Sequence, residues 1–242
     1  MDKRSFIAMN VAQMFSDGDV VNLGVGIPTL ASSYVPENVE VLFHAENGCV
    51  GAGEAGGFPW DDSSRESFIA WLESCGGEKG SWRTVHRDLC NASGEVIKLI
   101  PGAACFDSCM AFGIARGGHL DATVLGALQV DQYCNLANWK IPGKKLNGMG
   151  GAMDIVTGAK RVIIAMEHCS RDGEPKIVKH CTLPLTAVGR VNTIVTDKCI
   201  IECVPGTLTV TATAPGVSRE DIIASTGAEL VFAENIAEMI TE

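Results

Sequence analysis

The segment VVNLGVGIP, residues 20–28, decides the fold class. Its first four residues have the character of a short buried strand, and they run directly into a glycine-rich turn. Pro28 then suits the first turn of a helix, where its missing N–H costs nothing. A strand followed at once by a turn and a helix is the repeating unit of α/β proteins, so the segment predicts that class.

The same alternation continues on both sides of this segment. Apolar residues at helical spacing predict a helix over 6–14, and a continuous apolar run at 161–166 is typical of a central parallel strand. The fold class is therefore α/β: a single open α/β domain over residues 1–242, with a largely parallel or mixed sheet. Further strands are predicted at 39–44, 96–100 (ended by Pro101-Gly102), 122–125, 190–196 and 206–213, and helices at 107–115, 221–225 and 233–240.

Residues 54–93 interrupt this alternation of predicted strands and helices. They are polar, rich in Gly and Ser, and contain Trp60, Trp71 and Trp82. We interpret them as an inserted excursion from the α/β domain. Its tryptophans either anchor a partner or pack on their own domain, and the sequence favours neither.

Composition and charge exclude several classes of protein. The chain has 242 residues, 46% hydrophobic and 20% charged, which is a globular composition. Its formal net charge of −10 argues against a nucleic-acid surface. No signal-peptide pattern and no run of about 20 apolar residues is visible, so we expect a cytoplasmic protein without a membrane span. The ten cysteines form no Cys-x-x-Cys pair, so we expect free thiols and no metal.

The segment HAENG, residues 44–48, carries the leading candidate residue. Glu46 follows a predicted strand, and ligands of open α/β sheets bind outside the carboxyl ends of strands. A Glu beside an Asn-Gly turn is also common in ordinary turns, so spacing alone leaves both interpretations open. His44 faces the same way as Glu46 in a strand, and we interpret it as a packed or half-exposed residue.

Two glycine-rich loops are candidates for anion binding. Residues 24–26 and 148–151 each precede a predicted helix, where free N–H groups are available to a phosphate or an oxyanion. Thr29 breaks the Gly-x-Gly-x-x-Gly pattern of dinucleotide-binding loops. Close backbone packing explains both loops equally well.

These motifs, in this order, resemble the B subunit of family I (3-oxoacid type) coenzyme A transferases. The resemblance covers nearly the whole chain except about residues 54–93, and it departs from the family's usual stretch just after Gly53. The matching segments are NLGVGIP (22–28), ENG (46–48), GALQVD (126–131), LANWKIPGK (136–144), GMGGAMD (148–154), MEH (166–168) and CTLPLT (181–186).

The resemblance implies roles for particular residues. Glu46 matches the family's nucleophile, which forms a covalent glutamyl-CoA thioester. The Asn22 side chain and the backbone N–H of Gly151 match its oxyanion hole. Further substrate and coenzyme A contacts are implied at Gly24, Gly26, Asn47, Gly48, Gln129 and Gly150.

The resemblance also implies partners and substrates. It predicts an A subunit, commonly in an A2B2 assembly, and no cofactor, because coenzyme A is itself a substrate. The expected acids are short-chain carboxylates such as acetoacetate, acetate or butyrate. Two alternatives remain: an acyl-CoA hydrolase on the same scaffold, and a non-catalytic assembly or sensing subunit, against which the presence of Glu46 argues.

Overall fold

The computed structural model describes residues 1–55, 85–92, 94–143 and 148–241. The predicted excursion at 54–93 lies mostly outside the described residues. The helices are α1 (Lys3–Ala12), α2 (Ile27–Leu30), α3 (Ser108–Arg116), α4 (Ala152–Gly158) and α5 (Arg219–Ala224), with a 3₁₀ turn at Ala31–Tyr34. The strands are β1 (Val20–Leu23), β2 (Leu42–Ala45), β3 (Cys49–Ala55), β4 (Val85–Cys90), β5 (Val96–Cys105), β6 (Ala122–Leu125), β7 (Gln129–Asp131), β8 (Leu136–Ala137), β9 (Arg161–Ala165), β10 (Ile177–Val178), β11 (Thr193–Val195), β12 (Cys199–Val204), β13 (Thr207–Thr213) and β14 (Leu230–Glu238).

A large open sheet organises the molecule. Its centre is five parallel strands in the order β2-β1-β6-β9-β11. Beyond β2 the sheet continues with the antiparallel strands β3, β5 and β4. Beyond β11 it continues with β12 and β13, which are antiparallel, and with β14, which is parallel to β13. Strands β7, β8 and β10 form a separate small sheet. This open, mixed sheet confirms the predicted α/β fold class.

Apolar side chains bury both faces of the parallel centre. In β9, Val162 and Ile164 join one hydrophobic cluster, while Ile163 and Ala165 join another that contains Ile7 of α1. Successive residues of a strand point to opposite faces, so a continuous apolar run fits a strand covered on both sides. The prediction of a central strand at 161–166 is confirmed.

Side-chain caps fix where two of the predicted helices begin. The Asp107 carboxylate accepts a hydrogen bond from the Met110 N–H at 2.8 Å and so caps α3. Ser218 and Asp221 form a reciprocal capping box at the start of α5. No helix in the described ranges is long and apolar enough to cross a bilayer.

The prediction that Pro101-Gly102 ends a strand is wrong. Strand β5 runs on to Cys105 through a bulge, because Val50 of β3 pairs with Ala104 while Ala52 pairs with Leu99. Residues 100–103 therefore lie opposite Gly51 alone. A proline inside a sheet is tolerated at such a bulge, since the unpaired residues need no ladder hydrogen bond.

The helix predicted at 233–240 is also wrong. Residues 233–238 belong to β14, which runs parallel to β13, and 239–240 follow its end. Ala, Glu and Met favour a helix in isolation, but pairing with β13 and the packing of Leu230 and Phe232 on the core override that preference.

Candidate active site

Glu46 lies in a tight turn at the carboxyl end of β2. The Gly48 N–H donates to the Ala45 carbonyl at 3.0 Å, and the chain then returns as β3. Gly48 has a φ of 132°, and a Cβ there would run into the Phe106 carbonyl oxygen. Only glycine fits this position, so the turn that presents the half-buried Glu46 carboxylate depends on it.

Asn22 lies beside this turn, in the neighbouring strand β1. It is 1% exposed. Its side-chain Nδ2 donates to Glu46 Oε2 at 2.9 Å. The structure therefore brings together the two side chains that the sequence singled out as nucleophile and oxyanion partner.

Two further polar side chains contact Asn22, and sequence reasoning assigned neither of them to the site. The Thr123 hydroxyl donates to Asn22 Oδ1 at 3.3 Å, and His44 Nδ1 lies 3.4 Å from Asn22 Nδ2. His44 Nε2 lies 3.1 Å from the Ala111 carbonyl of α3. The shared facing of His44 and Glu46 was visible in the sequence, whereas the contact with Thr123 depends on strand pairing.

Gly151 is the N-cap residue of α4 and lies against α3. A Cβ at Gly151 would lie 2.6 Å from the Phe112 ring, so the backbone of the loop packs directly on α3. Gly150 has a φ of 53°, which favours glycine. Within the described part of the chain, no hydrogen bond joins Gly151 to Glu46. The two are linked through α3, since Ala111 contacts His44 and Phe112 contacts Gly151.

The two glycines of the loop after β1, Gly24 and Gly26, differ in how closely they pack. The Gly24 N–H donates to the Val124 carbonyl at 2.8 Å, and a Cβ at Gly24 would lie 2.9 Å from the Leu125 side chain. Gly24 therefore fits the close-packing interpretation. Gly26 has a φ of 98° and precedes α2.

Gln129 and Asn47 brace neighbouring segments. The Gln129 side-chain oxygen accepts from the N–H groups of Thr182 and Leu183 at 2.9 and 3.1 Å. Asn47 Nδ2 donates to the Cys90 carbonyl at 2.7 Å, which ties the turn after β2 to the β4–β5 hairpin. Both are positions of predicted substrate contacts, and in the structure their side chains hold protein backbone.

A large crevice of about 630 Å³ opens at the carboxyl ends of β1, β6 and β9. Its walls include Val25, Gly126–Gln129, Ala165–Glu167 and Lys176. The chain leaves β1 towards β2 and leaves β6 towards β9, so the strand order reverses here. Such a switch point is where open α/β sheets bind ligands. Burial lowers the pKa of Lys176, while the Glu167 carboxylate acts in the opposite direction.

A small cavity of about 50 Å³ lies against Glu46 itself. One wall is apolar and comes from β1, β2, β3 and β5, and the other comes from the β4–β5 hairpin. The apolar residues are Leu23, Phe43, Ala45, Ala52 and Ile97, and the hairpin residues are Asn91, Ala92 and Glu95. Among the described lining residues there are two carboxylates, Glu46 and Glu95, and no Lys or Arg.

Within the ranges that the structure describes, no group of three His, Cys, Asp or Glu side chains is arranged to hold a metal ion. Burial lowers the pKa of His44, so the imidazole against Asn22 is neutral at pH 7. The site thus consists of a carboxylate, a buried amide and a neutral imidazole. The carboxylate and the imidazole line the small cavity, and the large crevice opens at the same carboxyl edge of the sheet.

An open α/β sheet with a crevice at its switch point and a carboxylate held by a buried amide is an arrangement that suits an α/β enzyme. Residues 81–225 match the sequence profile of the family described as Coenzyme A transferase. The beta subunit of the acetate CoA-transferase of Escherichia coli K12 is 43% identical over 98% of this chain and 97% of its own length. The chain belongs to the coenzyme A transferase family, a class of enzymes.

Other relatives carry related names. The B subunit of a probable succinyl-CoA:3-ketoacid coenzyme A transferase of Bacillus subtilis is 37% identical over 97% of this chain and 98% of its own length. The human mitochondrial succinyl-CoA:3-ketoacid coenzyme A transferase 2 is 39% identical over 98% of this chain, which spans 42% of that longer protein.

Solved structures share the fold at low identity. An acyl-CoA transferase (YdiF) from E. coli O157:H7 has a TM-score of 0.70 at 19% identity, over 99% of this chain and 43% of that one. Glutaconate coenzyme A-transferase from Acidaminococcus fermentans has a TM-score of 0.64 at 20% identity, over 100% and 90%. The decarboxylase AibA/AibB has a TM-score of 0.63 at 17% identity, over 99% and 89%. Because a decarboxylase shares the fold, the family assignment rests on sequence.

Proposed function

We propose that this chain is the catalytic B subunit of a coenzyme A transferase. It moves coenzyme A from a short-chain acyl-CoA to an acid such as acetoacetate, acetate or butyrate, through a covalent thioester on Glu46. The observation that carries the proposal is the 2.9 Å hydrogen bond from the buried Asn22 amide to the Glu46 carboxylate, at the strand edge where both cavities open.

In the first half-reaction, the Glu46 carboxylate attacks the thioester carbonyl of the acyl-CoA. The carbonyl oxygen becomes an oxyanion, for which the Asn22 Nδ2 and the Gly151 N–H are the proposed donors. Each such donor is worth on the order of 10²–10³ in rate. Collapse of the tetrahedral intermediate breaks the C–S bond, releases the coenzyme A thiolate and leaves an acyl-glutamyl anhydride.

The thiolate then attacks the Glu46 carbonyl of the anhydride. The first acid leaves as its carboxylate, and Glu46 becomes a glutamyl-CoA thioester. An incoming carboxylate reverses both steps, so the kinetics are ping-pong. Each step exchanges one activated acyl bond for another, and no external energy source enters the balance.

The large crevice is the proposed place for the body of coenzyme A. It lies at the switch point beside Gly26, and this position, rather than its charge, supports the assignment, because the two cations on its wall, Arg171 and Lys176, stand among three carboxylates. Gly150 has open space where a Cβ would stand, so a ligand can approach its backbone closely, and Gly48 is proposed to contact substrate through the backbone of the turn beside Glu46. Binding of this remote part of the substrate contributes energy that offsets strain at the reacting carbonyl.

The small cavity is the proposed acyl subsite. Its volume of about 50 Å³ has room for roughly four non-hydrogen atoms, if each needs about the space of one water. Its apolar wall fits an alkyl chain. The Glu95 carboxylate disfavours a second negative charge, so these features support monocarboxylates over succinate.

The beta and B subunits among the relatives support a partner A subunit for this chain. We infer an A2B2 heterotetramer that works in the cytoplasm. Because the site opens at the surface of this chain, the partner completes its walls and excludes water, which would hydrolyse the anhydride.

Glu46→Gln tests the proposed nucleophile. In the complex reconstituted with the A subunit, this variant should lose transfer between acetyl-CoA and butyrate, because a neutral amide does not attack the thioester. Glu40→Gln, an exposed acidic residue before β2, is the matched control and should leave transfer unchanged. The chain without its A subunit should transfer little.

Full transfer by the Glu46→Gln complex would exclude Glu46 as the nucleophile. Release of free acid and coenzyme A by the unaltered complex, at a rate independent of added carboxylate, would identify an acyl-CoA hydrolase instead. Both outcomes are read from the same thiol-release and acyl-CoA assays.

A further inference from the structure

Three polar side chains stand in a row across the centre of the sheet. In the parallel register, Asn22 of β1 pairs with His44 of β2 on one side and with Thr123 of β6 on the other. All three are buried, with exposures of 1%, 3% and 0%. Buried polar groups are retained when each finds a hydrogen-bond partner, and here the partners are one another.

The Asn22 amide faces hydrogen-bond acceptors at its nitrogen and a hydrogen-bond donor at its oxygen. On the Nδ2 side lie three acceptors: Glu46 Oε2 at 2.9 Å, the His44 carbonyl at 3.2 Å and His44 Nδ1 at 3.4 Å. On the Oδ1 side, the Thr123 hydroxyl donates at 3.3 Å. An amide turned through 180° would set its oxygen against a carboxylate and a carbonyl, so these partners select one orientation.

The proton on His44 is placed by its other neighbour. The Ala111 carbonyl of α3 can only accept, so His44 Nε2, at 3.1 Å, carries the hydrogen. Nδ1 then keeps a lone pair for Asn22. A second proton on the ring would set an N–H against the Asn22 NH₂ group, and the two donors would repel.

Burial keeps the His44 ring neutral, although the nearby carboxylates and the Ala111 carbonyl favour its protonated form. Burial is the largest influence and lowers the pKa of His44, while the Glu46 carboxylate from the turn after β2 acts in the opposite direction. From the β4–β5 hairpin, Glu95 lines the same small cavity. From α3, the described contact is the uncharged Ala111 carbonyl.

We propose that neutral His44 and Thr123 are positioning residues that clamp the Asn22 amide with its N–H group towards the reacting Glu46 carboxylate. This inference rests on the proposed function, in which Asn22 is a donor to the oxyanion. The clamp keeps the amide from turning its oxygen towards developing negative charge. It therefore acts on the chemical step and not on the binding of acyl-CoA.

Thr123→Val tests one side of the clamp, because it removes the hydroxyl and keeps the shape of the side chain. In the reconstituted A–B complex we expect kcat, and the single-turnover rate of thioester formation on Glu46, to fall about tenfold with KM for acyl-CoA unchanged. Thr123→Ser keeps the hydroxyl and should have a kcat close to that of the wild type. Thr211→Val is the matched control, since it removes a strand hydroxyl of β13 whose described bond, to the Ile200 carbonyl, is remote from the site.

His44 is tested by its tautomer and by two substitutions. In a complex assembled with ¹⁵N-histidine-labelled chain, the ring nitrogens of His44 should report at pH 7 a neutral imidazole protonated on Nε2, with His44→Gln assigning the signal. His44→Gln keeps one donor and one acceptor and should retain most of kcat. His44→Leu keeps neither and should lose about tenfold or more in kcat.

A charged ring or an Nδ1-protonated tautomer would overturn the clamp on the His44 side. Wild-type kcat in Thr123→Val, in a complex that Glu46→Gln inactivates, would overturn it on the Thr123 side and leave the nucleophile in place. If Glu46→Gln is itself active, the proposed function fails, and the tautomer measurement still decides the geometry of His44.

Discussion

At the scale of single residues, the geometry of the site depends on the orientation of the Asn22 amide, whose N–H group faces the Glu46 carboxylate. Asn22 is held between a hydroxyl on its oxygen side and acceptors on its nitrogen side, among them Glu46. Such preorganised donors are effective because they need no rearrangement as charge develops. In the proposed mechanism, the small cavity selects which acid reaches the carboxylate.

Glu95→Gln tests this selection. Removing the negative charge from the small cavity should raise the rate of transfer to succinate relative to acetate, by about two- to fivefold, because an exposed charge interacts weakly through water. The ratio of kcat/KM for the two acids, measured in the reconstituted complex, checks it. Glu40→Gln is the control, and an unchanged ratio in Glu95→Gln would remove Glu95 from the determinants of acyl specificity.

Single residues were predicted from the sequence to different degrees. Its place after a strand made Glu46 a candidate, and the family resemblance then implied the role of nucleophile and paired it with Asn22. Thr123 was not identified, because its contact with Asn22 depends on β1 pairing with β6 across about 100 residues of chain. Nothing in local spacing encodes that register.

At the scale of elements, the turn between β2 and β3 presents the Glu46 carboxylate, the proposed nucleophile. Gly48 closes it with a positive φ and lets the chain pass directly beside the Phe106 carbonyl. The turn is held from the other side by the Asn47 bond to Cys90. Its geometry therefore depends on two neighbouring segments as well as on its own sequence.

Gly48→Ala should destabilise the protein by about 2 kcal/mol or more, because it adds a strained backbone and a backbone collision at once. Gly18→Ala is the matched control: Gly18 also has a positive φ, 82°, but nothing lies within 4 Å of an added Cβ. It should cost only about 1–2 kcal/mol. Urea unfolding of both variants measures the difference, and equal losses would show that close approach at Gly48 is unimportant.

Elements whose apolar pattern also fits the tertiary structure were predicted correctly. The strands at 20–23, 122–125 and 161–165 lie in the buried centre of the sheet and are mostly apolar, and only Asn22 and Thr123 place polar side chains in its buried interior there. Residues 233–240 were predicted as a helix because their composition has helical preference, and the pairing with β13 that makes 233–238 part of a strand is not visible in the local sequence. The bulge at Pro101 was missed for the same reason.

At the scale of the whole molecule, burial of a second histidine couples stability to pH. His168 is 0% exposed, its ring lies within 3.0 Å of the Thr196 and Thr226 hydroxyls, and burial lowers its pKa to about 4. The unfolded chain takes up a proton near pH 6.5, whereas the folded chain does so only near pH 4. Stability should therefore fall as pH drops through this window, by up to about 3 kcal/mol.

Urea unfolding between pH 7.5 and 4.5 measures this dependence. His168→Gln removes the titrating ring and should flatten the slope, whereas His119→Gln, on the exposed turn after α3, should keep it. Burial of His44 acts in the same direction, so a residual slope should remain in His168→Gln. A slope equal to that of the wild type would contradict the assignment to His168.

The large sheet brings together residues that are far apart in sequence, and the proposed function depends on one of them, Glu46, as the nucleophile. The most direct test is to incubate the reconstituted complex with acyl-CoA, quench it with borohydride and map the product by mass spectrometry. Reduction of a glutamyl-CoA thioester converts the γ-carboxyl to an alcohol, and we expect this change on the peptide that contains Glu46. An unmodified Glu46 peptide, with the reduced residue elsewhere, would contradict Glu46 as the nucleophile.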